Sequence, residues 1–233
     1  MAELITTSLY SDPRLVYYAR FEGNSNDTKG TNNGSDTAIT YGTANGLYGQ
    51  GAGFNGTSSK IVVGNGTALQ TSGDFSVSVW VKDAANNYPI ICGKYDDTSV
   101  QFNDWFLGLE GTTLFPYFQG HNASPTGGVY TKTSSIALPA SSWTLVNAVC
   151  ISGSIVNMYV NGTLANGSAS GTNNRDGETV NNFQIGQIIN GGAGNYWSGA
   201  IDDLAIFTGV LNSGDINTIY SRGRGWMGLL KYW

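Results

Sequence analysis

Apolar and polar residues alternate in many short segments of this 233-residue chain, a spacing typical of β-strands. The alternation is clearest in Phe75-Ser-Val-Ser-Val-Trp-Val81, where Phe75 and the valines fall on one face and Trp80 falls on the other. A tryptophan opposite a valine face predicts that both faces of this strand are covered. The predicted strands are Leu15 to Phe21, Gly53 to Phe54 with Lys60 to Val63, Phe75 to Lys82, Ile90 to Lys94, Trp105 to Leu109, Leu114 to Gln119, Trp143 to Ile151, Ile155 to Val160, Phe183 to Ile188 and Ala200 to Phe207.

Asn-Gly pairs separate many of these segments, and this dipeptide tolerates the positive φ of tight turns. The polar stretch from Ala165 to Asn182 is expected to form one long loop. One helix is predicted near the end, where Asn212 or Ser213 can cap its start, Ile216 begins an apolar repeat, and Gly223 closes it. The pattern favours a single all-β domain with one short helix.

Composition narrows the function classes. Charged residues make up only 12% of the chain beside 33 glycines, which excludes helical bundles and coiled coils. A net charge of -5 with 11 lysines and arginines leaves no phosphate-neutralising surface, so no nucleic-acid partner is expected. The chain contains no apolar run long enough for membrane insertion, and its start, MAELITTSLYSDPRL, shows no export signal.

The cysteines and the histidine limit redox and zinc chemistry. Cys92 and Cys150 each lie in an apolar run and are predicted to be buried free thiols rather than a disulfide. With His121 as the sole histidine, these two distant cysteines cannot complete a four-ligand zinc site.

Six segments appear in an order that identifies a family: YYARFEGNSNDTKGTNNGS, GAGFNGTSSKIVV, DFSVSVWVK, PIICGKYDD, WTLVNAVCISGSIVNMYVNGTLA and YWSGAIDDLAIFTGVLNSGDINTIYSRG. In this order they resemble the laminin-G-like, concanavalin A-like lectin/glucanase sandwich. The resemblance implies a jelly roll of two curved antiparallel sheets with the first and last strands adjacent. It covers residues 1–223 and leaves residues 224–233 as an apolar tail with no family counterpart.

Oxygen-bearing side chains are grouped at the two ends of this expected domain. Glu22, Asn24 and Asp27 follow the first predicted strand, and Asp202 and Asp203 lie on the last. Calcium binds about six to eight oxygens from such groups. The resemblance implies a structural calcium where the first and last strands meet, bound by Glu22 and Asp202, with Asn24 and Asp27 as weaker candidates. Adjacent residues of a straight strand point to opposite faces, so Asp202 is preferred to Asp203. The alternative is that these residues only terminate a turn, pair with an arginine or are solvated.

Hydrolase chemistry is not expected. Glycosidases need two carboxyl groups at defined separations, and related glucanases place two glutamates and an aspartate at alternate positions of one strand. No such run occurs in this sequence, whose glutamates are scattered singly at Glu3, Glu22, Glu110 and Glu178. A Ser-His-Asp site would have to use His121, which has no G-x-S-x-G motif around it.

A carbohydrate site on such a scaffold is built from aromatic rings and amide or hydroxyl groups, because sugar C-H faces stack on rings while hydroxyls need hydrogen-bond partners. Trp80, Trp143 and Trp197 match core positions of the family. The remaining polar and aromatic residues lie on the middle strands and their loops, and ordinary sheet packing is their alternative role. The candidate ligand-binding residues are Trp105, Tyr88, Tyr95, Tyr117, His121, Asn122 and Tyr130.

The sequence therefore predicts a non-catalytic recognition module that binds carbohydrate or another surface ligand and holds a structural calcium ion. It is expected to act outside the cell, on a cell surface or on a virion surface. The alternative is a structural protein that decorates a phage, a virus or another assembly. In that case the apolar tail would mediate self-association.

Overall fold

The computed structural model describes residues 8–71, 73–82, 88–96, 104–121, 129–151, 155–171, 181–189 and 192–229, of which Gly194 and residues 223–229 are described by backbone alone. Its strands, numbered along the chain, are β1 Leu15–Ala19, β2 Ser35–Thr37, β3 Thr40–Gly42, β4 Gly51–Asn55, β5 Lys60–Gly64, β6 Phe75–Lys82, β7 Ile90–Lys94, β8 Trp105–Glu110, β9 Phe115–His121, β10 Val129–Ser134, β11 Thr144–Cys150, β12 Val156–Val160, β13 Thr163–Leu164, β14 Asn166–Ser170, β15 Phe183–Ile185 and β16 Ser198–Thr208.

The strands form two antiparallel sheets of eight strands each, which confirms the predicted jelly-roll sandwich. The first sheet has the order β13-β12-β11-β6-β16-β4-β3, with β1 also paired to β16. The second sheet has the order β14-β10-β9-β8-β7-β15-β5-β2. The first and last strands lie side by side as predicted, with Ala19 opposite Leu204 in the β1–β16 register.

The core lies between the sheets, and β6 shows how the sequence pattern produces it. Its inward residues Val77, Val79 and Val81 belong to the main buried cluster. Trp80 points to the outer side of the first sheet, where it packs in a second buried cluster. Both faces of β6 are therefore covered, as the valine and tryptophan positions predict.

A single described α-helix, α1 Ser213–Leu229, covers the outer face of the first sheet. Ile216 and Ile219 pack there in the same cluster as Trp80. Asn212 caps the helix, since its Oδ1 accepts hydrogen bonds from the amides of residues 214 and 215. The prediction that the helix ends at Gly223 is wrong, because the helix continues to Leu229. Tertiary context often outweighs the low helix propensity of glycine.

Several polar strands were not predicted. They are β2, β3, β10, β13 and β14. The stretch from Ala165 to Asn182 is not one loop, because Asn166–Ser170 pairs with β10. These strands have few inward apolar residues, so backbone pairing rather than composition defines them. Cys92 and Cys150 are buried free thiols, as predicted.

No helix in the described part of the chain combines the length and hydrophobicity that crossing a membrane requires. The two outer faces of the sandwich differ. The helix packs on the first sheet, whereas the outer face of the second sheet carries a small cluster of Ile90, Tyr95, Ile188 and the partly buried Phe106. This second face holds most of the predicted ligand-binding aromatic residues that are near the surface.

Candidate functional site

Aromatic and amide side chains collect on the outer face of the second sheet, where β7, β8 and β9 are neighbours. We call this group the tyrosine–histidine patch and define it as Tyr95, Phe106, Tyr117, Gln119 and His121. The strand period explains the grouping. Trp105, Leu107 and Phe118 point into the core, so the residues between them point outward.

The strand register fixes the middle of the patch. Phe106 lies opposite Gln119 on one side and opposite Gly93 on the other. The same row continues to Gln184 beyond Gly93 and to Thr131 beyond Gln119. A Cβ added to Gly93 would lie 2.6 Å from Cβ of Phe106. Glycine at position 93 therefore gives the Phe106 side chain room on the sheet surface.

A hydrogen-bond network joins the polar groups of the patch. The Tyr95 hydroxyl lies 2.9 Å from Nε2 of His121, and Gln119 Nε2 lies 3.0 Å from each of these two atoms. The Tyr117 hydroxyl donates to Gln119 Oε1 at 2.9 Å. Because the amide nitrogen of Gln119 can only donate, we assign Nε2 of His121 as the acceptor and place the imidazole proton on Nδ1. Within the described residues, His121 Nδ1 is buried without a hydrogen-bond partner.

The rings of the patch pack in edge-on and tilted arrangements. Tyr95 meets Phe106 edge-on with ring centroids 5.0 Å apart and meets His121 at 4.9 Å. Tyr117 is tilted on Phe106 at 5.9 Å. Tyr95 and His121 are only 7% and 5% exposed, whereas Phe106, Tyr117 and Gln119 are partly exposed. The patch thus has a buried lower layer that supports a surface layer.

Burial shifts the pKa values of His121 and Tyr117, and both side chains are uncharged at neutral pH. Burial lowers the pKa of His121 below its usual value. Burial, followed by the negative charge of Glu110, raises the pKa of Tyr117 to about 12. The patch therefore offers a neutral surface of rings, an amide and a hydroxyl.

The structure brings together Tyr95, Tyr117 and His121 from the predicted ligand set. Tyr88 is 48% exposed and lies close enough to Tyr117 to be among the groups that raise the pKa of Tyr117. Asn122 lies outside the described residues. Phe106 and Gln119 were not predicted, although the alternation of Tyr117, Gln119 and His121 along β9 could have identified the amide.

Trp105 and Tyr130 occupy the core rather than a ligand surface. Trp105 is fully buried, stacks on Phe118 with a centroid distance of 6.1 Å, and donates from Nε1 to Thr71 Oγ1 at 2.9 Å. The hydroxyl of Tyr130 accepts a hydrogen bond from the amide of Val156. The prediction that these two rings contact a ligand is corrected, because the strand period turns them inward.

Two of the candidate calcium ligands, Glu22 and Asp202, accept hydrogen bonds from the same segment of chain, residues 47–50. Asp202 Oδ2 accepts hydrogen bonds from the amides of Leu47 and Tyr48 at 2.8 and 3.1 Å. Glu22 Oε2 accepts one from the amide of Gln50 at 3.2 Å. Among the described residues, Glu22 Oε1 is buried and has no hydrogen-bond partner. This free oxygen is the feature that fits a hard cation.

Asn24 and Asp27 lie in the turn that follows Glu22, where Asn24 Nδ2 donates to the backbone oxygen of Glu22 at 3.3 Å. The oxygens of Asp27 accept from the amides of Tyr18, Lys29 and Asn32. Asn24 Oδ1 accepts from the amide of residue 26. Backbone amides thus occupy the side-chain oxygens of these two residues. For Asp27 this agrees with the alternative that it terminates a turn.

Asp202 and Asp203 depart from the straight strand assumed from the sequence. The β16–β6 register shifts between Asp202 and Ala205, and Asp203 has a φ of 53°. This bulge lets Asp203 accept a hydrogen bond from the Tyr18 hydroxyl. Burial and then the neighbouring Asp203 charge raise the pKa of Asp202 well above its usual value. The aspartates are 1% and 5% exposed, so they are not solvated.

The side chains alone do not complete a metal site. The described residues contain no group of three histidine, cysteine, aspartate or glutamate side chains suited to a metal ion. Glu22 and Asp202 fit a cation only if backbone carbonyl oxygens or water supply the remaining ligands, which calcium accepts.

A family model described as the concanavalin A-like lectin/glucanases superfamily matches residues 55–217. The sequence matches no curated protein. Among solved structures, domain 4 of AbnA, a GH43 extracellular arabinanase from Geobacillus stearothermophilus in complex with arabinotriose, is similar, with 24% identity and a TM-score of 0.66. The similarity covers 89% of this chain and 98% of that domain.

Toxin domains share the same fold. The binding domain of Paraclostridial Mosquitocidal Protein 1 has 15% identity and a TM-score of 0.71, with 91% of this chain and 52% of that chain covered. The binding domain of botulinum neurotoxin DC in complex with rat synaptotagmin II has 15% identity and a TM-score of 0.64, with 93% and 52% covered. This chain therefore spans about half the length of these toxin domains.

Proposed function

Because the chain belongs to the concanavalin A-like lectin/glucanase superfamily, we propose that it is a non-catalytic module that binds carbohydrate through the tyrosine–histidine patch. The arabinanase domain with bound arabinotriose supports a binding role on this fold. So does a second structure of the botulinum neurotoxin DC binding domain, in complex with SialylT, which has 14% identity and a TM-score of 0.61. We also propose that the module acts outside the cell, where the similar arabinanase acts.

The observation that carries the proposal is the two-layer construction of the patch. Tyr95 and His121 are buried and hydrogen-bonded below Gln119, while Tyr117 and Phe106 remain partly exposed above them. Aromatic faces pack against sugar C-H groups, and a planar amide can bridge neighbouring hydroxyls. A held amide loses less side-chain freedom on binding than a free one, which favours affinity.

We propose binding rather than hydrolysis. Asp104 adjoins the patch, since its backbone oxygen accepts from the amide of His121, but it is 1% exposed and its Oδ2 accepts a hydrogen bond from Thr71 Oγ1. Glu110, at the end of β8, is the carboxylate whose charge acts on Tyr117. Glycoside hydrolysis commonly uses two carboxyl groups about 5 to 9.5 Å apart across the scissile bond. The adjacent buried pair Asp202 and Asp203 is on the first sheet, and its oxygens bond to Leu47, Tyr48 and Tyr18.

The proposed calcium has a mechanical role. Glu22, just beyond β1, and Asp202, on β16, would hold the ion, and both already hold the segment around residues 47–50. A Cβ added at Gly49 would lie 2.8 Å from Cδ of Glu22, which shows how closely this carboxylate packs on the segment. An ion bound only by the folded state would stabilise the fold by mass action.

A glycan array tests the carbohydrate proposal. We expect the wild-type protein to bind at least one sugar class, and Tyr117→Ala to reduce that signal about tenfold or more, since a lost ring contact removes on the order of 1.4 kcal/mol. Leu164→Ala is the matched control, because Leu164 is 54% exposed on β13 of the other sheet. No binding to any sugar class, or equal loss in both variants, would contradict the proposal.

A further inference from the structure

A cleft of about 280 Å³ opens on the first sheet, away from the tyrosine–histidine patch. The strand register defines its floor as one row across four strands. Lys82 on β6 lies opposite Ala200 on β16, Ala200 lies opposite Gly53 on β4, and Gly53 lies opposite Thr40 on β3. A long cationic residue therefore stands at one end of the row, with two small residues in its middle.

The far wall of the cleft is the segment that carries Asn45. A Cβ added to Gly53 would lie 2.6 Å from Thr40 Oγ1 and would also collide with the Asn45 amide group. Glycine at position 53 thus lets the Asn45 side chain lie low against the sheet. Asn45 Nδ2 donates to the backbone oxygen and to Oγ1 of Thr40 at 3.1 and 3.3 Å. These bonds fix the amide and leave its Oδ1 as the acceptor at this wall.

Among the described residues, the charge of Lys82 has no counterpart. The recorded ion pairs join Arg14 to Asp12 and to Asp215. Among the residues that the structure describes, none forms an ion pair or hydrogen bond with Lys82, although this side chain is half-buried at the cleft. A partly desolvated ammonium group gains from a charged hydrogen-bond partner more than a fully exposed one does.

We propose that this cleft binds one sugar unit that carries a carboxylate, such as a hexuronic acid. The carboxylate accepts hydrogen bonds from Lys82, a hydroxyl donates to Asn45 Oδ1, and the C-H face of the ring lies on Ala200. The proposal does not depend on the tyrosine–histidine patch, because the two surfaces are on different sheets.

The size and the support of the cleft agree with a single sugar. Pockets for drug-sized ligands measure about 300 to 1,000 Å³, so 280 Å³ suits one ring rather than an oligosaccharide. The wall segment is fixed to β16, because Asp202 accepts hydrogen bonds from the amides of Leu47 and Tyr48, two and three residues beyond Asn45. The wall is therefore in place before a ligand binds.

Calorimetric titration with sodium glucuronate tests the proposal, with glucose and sodium acetate as the matched neutral sugar and the matched small anion. We expect wild-type protein to bind glucuronate with a Kd on the order of 1 mM and to bind glucose and acetate at least about tenfold more weakly. Lys82→Met should weaken glucuronate binding about 10- to 100-fold, as the loss of a charged hydrogen bond does. Lys60→Met, on β5 of the other sheet, removes the same charge and should leave the affinity unchanged.

A second variant tests the cleft without changing its charge. Ala44 is exposed on the wall, so Ala44→Leu should narrow the cleft, weaken glucuronate binding about tenfold and leave thermal unfolding unchanged. Undetectable glucuronate binding at about 10 mM, equal affinity in Lys82→Met and wild type, or acetate binding as tight as glucuronate would each overturn the proposal. None of these results concerns the patch, whose test uses Tyr117→Ala on the opposite sheet.

Discussion

The hydroxyl of Tyr95 lies 2.9 Å from Nε2 of His121, and this contact joins the end of β7 to the end of β9 across the strand between them. Gln119 is hydrogen-bonded to both residues. The contact therefore determines where the Gln119 amide stands on the surface of the second sheet.

Tyr95→Phe should test this supporting role. The substitution keeps the ring and removes the hydroxyl, so the free energy of unfolding in urea should fall by about 1 kcal/mol. The Gln119 amide loses one of its fixed partners, and glycan affinity should fall several-fold even though Tyr95 is only 7% exposed. Unchanged affinity together with reduced stability would show that the lower layer does not orient the amide.

The stability of the protein should depend on pH through His121. Because burial lowers the pKa of the folded imidazole below its unfolded value near 6.5, the unfolded state takes up the proton first as the pH falls. The contribution of His121 to stability should be complete above about pH 7.5 and fall towards pH 5, with a slope of at most about 1.4 kcal/mol per pH unit. The raised pKa of Asp202 acts in the opposite direction, so the His121 contribution is the difference between wild type and a variant without the imidazole.

His121→Gln is the control for this pH dependence, because His121 is the only histidine of the chain. Urea unfolding of both proteins is measured from about pH 7.5 to about pH 5. The difference in the free energy of unfolding between wild type and variant should become smaller as the pH falls. Parallel profiles would mean that His121 protonates equally easily in the folded and unfolded protein.

Trp105 should behave as a core residue. Trp105→Ala removes a fully buried ring and its hydrogen bond to Thr71, so unfolding should become easier by about 3 to 5 kcal/mol. Tyr88→Ala removes a ring that is 48% exposed and should change stability by less than about 0.5 kcal/mol. Chemical denaturation distinguishes the two, and a small effect at Trp105 would contradict its place in the core.

Removal of calcium should lower the melting temperature. A chelator should destabilise the wild-type protein by several degrees, because the proposed ion binds only the folded state. Asp202→Asn should abolish this response, whereas Asp27→Asn should retain it, since the oxygens of Asp27 bond to backbone amides of its own turn and of β1. A melting temperature indifferent to chelator would exclude the structural calcium.

The sequence predicts the fold best where burial on both faces dictates the residue pattern. The bounds of β6 and β7 are as predicted, because their residues are buried almost without interruption. Strand β14, Asn166–Ser170, has no buried residue and exists through its pairing with β10. A sequence pattern that reports burial cannot reveal such a strand.

The candidate site was predictable in type but not in orientation. The sequence predicts ligand contacts for Tyr95, Tyr117 and His121 on the middle strands. It predicts the same for Trp105, which lies in the core. Alternation alone does not say which of Trp105 and Phe106 faces the core. That choice depends on the sheet packed against β8, which is far away in sequence. The bulge at Asp203 was equally hidden, because strand pairing rather than composition produces it.

Mapping a bound glycan by two-dimensional NMR tests the central claim most directly. The glycan with the strongest array signal is titrated into the labelled protein, and amide shifts are followed for wild type and Tyr117→Ala. We expect the shifts to concentrate on β8, β9 and β10 around Gln119 and to disappear in the variant. Shifts confined to the first sheet or to α1, or equal affinity in the variant, would contradict a carbohydrate site on the outer face of the second sheet.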